Sequence, residues 1–151
     1  MSKRADTLTI RLAVPGERTA LEDLQRRASI ALDDYRQQLE ADPEAIVLPI
    51  EQIERGQVIV AAIEGRLAGF AAVIGDGSAA ELDGLFVEPA LWRRGVGSAL
   101  IDAVVHEARV KGLSMTAVTA NPTARDFYER CGFCVEGEVQ TRFGPGLRMS
   151  R

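Results

Sequence analysis

Residues 91–101 read LWRRGVGSALI, two arginines and two glycines running straight into an apolar, helix-forming stretch. The first N–H groups of a helix lack a partner inside it, and the helix dipole adds positive potential at the same place. An anion seated there is held by donors that are otherwise unused. Glycine lets the main chain approach such an anion without a Cβ in the way. Arg93, Arg94, Gly95 and Gly97 are therefore the parts of an anion site, and phosphate is the anion that suits it. Two common phosphate signatures are absent: the dinucleotide fingerprint needs a third glycine where Leu100 stands, and the P-loop needs Gly-Lys followed by Ser or Thr. A bare G-x-G is shared with ordinary tight turns, so the surrounding elements carry the decision.

Other residues with chemical potential are fewer. Cys131 and Cys134 form a C-x-x-C, but in FYERCGFCV the motif closes a helix rather than opening one. The helix dipole there has the wrong sign to stabilise a thiolate, so the pair reads as two small apolar residues at a helix-to-strand turn. No second cysteine pair or histidine cluster offers metal ligands, and no metal is expected. The formal net charge of −4 argues against a broad basic surface for nucleic acid. No apolar run approaches the length of a membrane span, and Met1 to Asp6 is polar with no apolar segment after it, so the expected location is the cytoplasm. Acidity is uneven: residues 16–56 hold ten Asp or Glu against five Arg, whereas residues 57–151 hold eleven against ten basic residues. That excess reads either as a solvated helical face or as the front of a site for a cationic substrate.

The elements that must position the glycine turn follow from periodicity. With 151 residues and 46% hydrophobic content the chain suits a single domain, 1–151. TLTIRLAV, residues 7–14, alternates as a strand and is broken by Pro15-Gly16. Leu21, Leu24, Ala28, Ala31, Leu32, Tyr35 and Leu39 fall on one face of a helix or kinked helix pair. PIEQIERG is a further short helix stopped by Gly56. Turn signals at Glu64-Gly65 and residues 75–78 then cut a β-rich block into strands near 57–63, 66–74 and 79–87, an antiparallel meander. A helix follows over 96–110, stopped at Gly112, then a strand over 113–120. Asn121 and Pro122 are N-cap and first residue of the next helix, and Gly132 stops it. The tail reads as two strands around a turn at GPG, residues 144–146. The fold class is α/β (α+β), with a single mixed, mostly antiparallel central sheet flanked by helices.

Two stretches together resemble a known family. LFVEPALWRRGVGSALI is similar to the pyrophosphate-binding motif of the GNAT superfamily of N-acetyltransferases, and NPTARDFYERCGF to that family's following helix, the two spanning residues 82–133. One position departs: the Gln or Arg usually found three residues before the first glycine is Trp92. The resemblance implies the acyl-CoA N-acyltransferase fold, acetyl-CoA as cosubstrate, and an amine as acceptor. It implies that the diphosphate sits on the N–H groups of Arg94, Gly95, Val96, Gly97, Ser98 and Ala99, with Arg93 beside it. The pantetheine arm would pair with the backbone of Leu85, Phe86 and Val87 as an added strand, flanked by Asn121, Ala124 and Phe127.

The chemistry then has three needs: a neutral amine, a polarised carbonyl and a proton for the thiolate. By the resemblance Tyr128 is the acid, and Glu81, at a spacing where the family often places a glutamate, is the candidate base. Asp83 shares its face by the period of two. His106, one turn after Asp102, reads as an exposed polar contact because the resembled fold turns this helix away from the slot. The acidic excess favours a cationic acceptor, such as a small-molecule amine, polyamine, amino acid or peptide N-terminus. Alternatives are a non-catalytic acyl-CoA-binding module, transfer of a longer acyl group, and, more remotely, a redox role for the cysteines. The resemblance also allows a homodimer through a sheet edge or the tail hairpin.

Overall fold

The computed structural model describes residues 7–31, 46–76, 79–141 and 144–151. Seven strands form one sheet in the order β1-β2-β3-β4-β5-β7-β6, with β1 at Leu8–Leu12, β2 at Val58–Ile63, β3 at Arg66–Asp76, β4 at Ala79–Val87, β5 at Met115–Ala120, β6 at Cys134–Thr141 and β7 at Gly144–Ser150. The helices are α1 (Arg18–Ala31), a short α2 (Ile50–Glu54), α3 (Val96–Val110) and α4 (Arg125–Arg130). β1 pairs antiparallel with β2, β2 with β3, β5 with β7 and β7 with β6, while β4 and β5 run parallel. The sheet is thus mixed and mostly antiparallel. A parallel pair needs a crossover, and α3 lies in the chain between β4 and β5.

By contacts the chain divides into two compact units, residues 1–72 with 84–100, and residues 73–83 with 101–151. In the first, Leu21 and Leu24 of α1 join Ala13, Leu48, Ile53, Val58, Val60 and Phe70 in one apolar cluster, with Phe86 packed against it. β2 is buried at every position but its last, as its unbroken apolar run implies. Glu17 fixes the corner ahead of α1. Its carboxylate takes the Arg11 guanidinium at 2.7 and 3.1 Å and the Val14 N–H at 3.0 Å. The Arg11 hydrogen bond, helped by the Val14 N–H, holds this carboxyl below the usual carboxylate range. A lowered carboxyl adds stability above its unfolded pKa of about 4.3 and loses it as pH falls through the folded value. Glu17→Gln is therefore expected to cost about 1 kcal/mol in thermal or urea melts near neutral pH. That deficit should begin to shrink in melts taken below about pH 4.3 and vanish only once the pH is below the folded value; a deficit that does not shrink on acidification would assign the effect to packing.

In the second unit the buried residues include Ala80 and Leu82 of β4, Ile101, Val104, Val105 and Ala108 of α3, Ala117, Val118 and Met149 of the central strands, and Tyr128 and Phe133 around α4. Gly112 and Gly132 take φ of 80° and 94°, the left-handed stops that end α3 and α4.

Two expectations change. Asn121 is the N-cap, accepting from the Thr123 N–H at 2.8 Å, but the first turn after it, Pro122–Ala124, is 3-10 and α4 begins only at Arg125. The tail hairpin closes earlier than the GPG sequence suggests: Thr141 pairs with Gly144, so GPG opens β7 instead of making the turn. Proline is tolerated there because the β5 register ends at Leu147, which leaves Pro145 with a strand on one side only. α1 is described from Arg18 to Ala31, and Leu32, Tyr35 and Leu39 lie outside the described residues.

Candidate functional site

The first unit carries the candidate anion-binding turn. After Val87 the chain makes a 3-10 turn at Pro89–Leu91, a turn the sequence did not signal, and then reaches Trp92. Arg93 and Gly95 have φ of 68° and 84°, two left-handed residues that swing the main chain into α3. A Cβ built on Gly95 would meet nothing within 4 Å, so the space above this residue is open. The intrahelical ladder of α3 starts with Ala99 N–H donating to the Gly95 carbonyl at 3.0 Å. The N–H groups of Val96, Gly97 and Ser98 precede it, which is the donor set an anion needs. Arg93, Arg94 and Ser98 are exposed beside them, Ala99 is half-buried, and Val96 and Gly97 are buried.

The strand leading into that turn has one edge paired and one turned away. The Glu88 N–H donates to the Ala68 carbonyl of β3 at 2.8 Å. In a trans peptide the carbonyl of one residue and the N–H of the next point in opposite directions, so the Val87 carbonyl points away from β3. By the period of two, Leu85 shares that direction and Phe86 faces β3. The Phe86 carbonyl indeed lies 2.7 Å from where a Cβ on Gly69 would stand, and the Phe86 ring packs on Phe70 at 5.4 Å between centroids. Of these three residues, Leu85 and Val87 are the ones presenting backbone groups away from β3. Arg27 of α1 grips the Glu88 carboxylate at 2.6 and 3.0 Å and so steadies the end of β4.

The second unit carries the side chains suited to proton transfer. Tyr128 is 7% exposed, with its ring edge-on to Phe127 at 5.1 Å and Phe133 at 5.4 Å. Burial, with a smaller contribution from Cys131, pushes its hydroxyl pKa far above the ordinary value of 10.0. Phe127 and Ala124 are half-buried on the same short helical segment, and the Asn121 side-chain oxygen accepts from the Thr123 backbone and hydroxyl at 2.8 Å each. Register between β4 and β5 runs from Ala79–Met115 to Leu82–Val118.

Glu81 lies inside that register and is not a free carboxylate. Arg148 of β7 spans both its oxygens at 2.6 and 2.7 Å and also donates to Thr119 Oγ1 at 3.1 Å. That hydrogen bond chiefly, with the charge of Glu136 behind it, raises the Arg148 pKa above its usual value. Arg148 and Thr119 were missed from sequence; no local signal pairs residues 67 positions apart. Asp83 is exposed on the same strand.

Other candidates are placed as follows. His106 is exposed, and Asp102 meets Arg151 at 3.4 Å. Cys131 caps the C-terminal end of α4 and is half-buried, and Cys134 is exposed. Among the described residues no group of three or more His, Cys, Asp or Glu is placed to hold a metal ion, and no helix is long and apolar enough to cross a membrane. Part of the acidic excess in residues 16–56 serves the fold: Glu17 holds Arg11, and Glu22 accepts from the Leu48 N–H at 2.8 Å.

Comparison with known proteins bears on the same residues. A model of the acetyltransferase (GNAT) family matches residues 21–133. An uncharacterized N-acetyltransferase of Escherichia coli (strain K12), YafP, is 39% identical over 83 residues, covering 55% of this chain and 49% of that protein, so the match spans about half of the relative's length. Among solved structures, the PaiA N-acetyltransferase of Thermoplasma acidophilum in complex with coenzyme A superposes with a TM-score of 0.75 at 18% identity, covering 96% of this chain and 98% of that one. The ribosomal-protein-S18-alanine N-acetyltransferase of Escherichia coli gives 0.71 at 20% identity, covering 95% and 92%. At these identities the structural likeness speaks for the fold.

Proposed function

Because the chain belongs to the acetyltransferase (GNAT) family, we propose that it transfers the acetyl group of acetyl-CoA to a primary amine by direct attack in a ternary complex. The observation that carries this reading is the turn from Trp92 to Ala99, where left-handed Arg93 and Gly95 deliver the open N–H groups at the start of α3 beside two exposed arginines. The donor set fits a diphosphate, which would rest on the main chain of Arg94 to Ala99 with Arg93 alongside. Leu85 and Val87, whose backbone groups face away from β3, suit an amide-bearing arm laid along the strand as an added partner. PaiA of Thermoplasma acidophilum, with the same fold, was solved with coenzyme A.

Acetyl-CoA supplies an activated thioester, and the rest of the chemistry falls to this chain. A backbone N–H at the end of β4 would take up the developing oxyanion. Tyr128, kept protonated by burial, would donate to the departing thiolate, and Glu81 would accept the proton from the amine, directly or through water. Asn121, Ala124 and Phe127 would line the arm. The fork of Arg148 on Glu81 favours a second reading of the base, in which Glu81 is a structural partner and a water path deprotonates the amine. The acceptor proposed is a cationic small molecule, amino acid or peptide N-terminus.

Thiol release from acetyl-CoA, followed against a panel of primary amines, amino acids and short peptides, tests the reading. Amine-dependent release is the expected result. Coenzyme A binding without release on any amine would point to a binding module, and faster release from longer acyl-CoA esters would make it a different acyltransferase.

A further inference from the structure

The Val87 carbonyl, directed away from β3, is met by a donor from this chain: the Trp92 indole N–H, at 2.8 Å. We propose that Trp92 is the positioning residue of the cosubstrate edge, tying the last carbonyl of β4 to the glycine turn so that the arm and the diphosphate of acetyl-CoA meet two surfaces at a fixed spacing. The inference rests on the acetyl-CoA reading above and deepens it.

Geometry argues for a tie and against an incidental contact. Trp92 is held twice, its main-chain N–H donating to the Pro89 carbonyl at 3.2 Å and its indole N–H to Val87. Between these anchors Leu91 N–H donates to the Glu88 carbonyl at 2.8 Å, so the whole turn from Val87 to Trp92 is closed on itself. The next residue, Arg93, has a φ of 68°. Non-glycine residues enter that region rarely and stay there when their surroundings hold them. A fixed Trp92 immediately before Arg93 is such a surrounding. The bond thus links the strand that would receive the arm to the residue that turns the chain into the anion cradle.

The tie leaves room for the ligand. A carbonyl oxygen has two lone pairs, so Val87 can accept from the indole and from an amide N–H of the arm together. Its own N–H and the groups of Leu85 remain for pairing. What position 92 must supply is then an N–H donor of sufficient reach, and the aromatic ring, 37% exposed, is secondary.

Trp92 is the only tryptophan in the chain, so its emission reports on this bond without interference. Coenzyme A is titrated into wild type, where a change in emission is expected, and KM and kcat for acetyl-CoA are measured in wild type, Trp92→Phe and Trp92→Gln. Phe keeps a ring and loses the donor, so KM should rise about fivefold, the scale of one hydrogen bond, with kcat within about twofold of wild type. Gln restores a donor without the ring and should return KM to within about twofold of wild type. Equal losses in both variants would make the ring's packing the cause, and an unchanged KM in Trp92→Phe would leave the bond without a role; either overturns the proposal. Coenzyme A binding in wild type with no change in Trp92 emission would also overturn it. No binding of coenzyme A to wild type would instead bring down the acetyl-CoA reading, and this inference with it.

Discussion

Tyr128→Phe is expected to lower kcat about 100-fold while leaving coenzyme A affinity within about twofold of wild type. The substitution removes one oxygen and preserves the ring, whose edge-on contacts with Phe127 and Phe133 do not involve the hydroxyl. Packing of α4 should survive, with a stability change within about 1 kcal/mol. The direction of the pKa shift suits the proposed role of an acid. Burial raises the phenol above its ordinary range, so it stays protonated at every pH at which the enzyme would be assayed and acts as a donor. An alkaline limb between pH 7 and 9 therefore belongs to another group, and Tyr128→Phe should scale the profile down without moving such a limb. Steady-state kinetics over that range, with calorimetric titration of coenzyme A, check both statements. Unchanged turnover would remove Tyr128 from the reaction, and a parallel loss of binding and turnover would recast it as part of the cosubstrate pocket.

The fold was legible wherever local chemistry marks the ends of an element. α3 runs over 96–110 as the periodicity required, because left-handed glycines bracket it, Gly95 before and Gly112 after. β2 and β3 were separable because Glu64 and Gly65, with φ of 53° and 80°, supply a turn that few residue pairs can make. The tail was misjudged for the converse reason. GPG has turn composition, but proline and glycine also suit a strand that has lost one neighbour, and only the register shows where that happens.

The candidate site was legible to a similar depth. The proposed anion-binding turn lies in consecutive residues, Arg94 to Ala99, so sequence alone could nominate it. Trp92 stood out only as a departure from an expected residue type. Its use became visible once the Glu88–Ala68 bond fixed the direction of the Val87 carbonyl. Arg148 gave no signal at all, since its partner is 67 residues away and an arginine on a half-exposed strand is unremarkable in composition. Residues joined by periodicity could be grouped in advance; those joined by strand order could not.

That last contact sets the sharpest test of the proposed base. If Glu81 takes the proton, Glu81→Gln should lower kcat/KM about 100-fold and abolish the acidic limb of the pH–rate profile, since the amide cannot accept a proton in the working range. Arg148→Met should do something different. It leaves the carboxylate in place without its guanidinium, so a group able to accept the proton is still present. Activity is then expected to be largely kept, and the acidic limb with it. Stability should fall by only about 1 kcal/mol, because both partners are about one-third exposed and solvent screens the pair. If instead Glu81 serves Arg148 and Thr119 structurally, Glu81→Gln and Arg148→Met should both lower melting temperature and activity modestly, with the acidic limb unmoved in each. Both variants leave the glycine turn and Trp92 untouched, so coenzyme A affinity should hold in either case and the base assignment is judged on the profile alone.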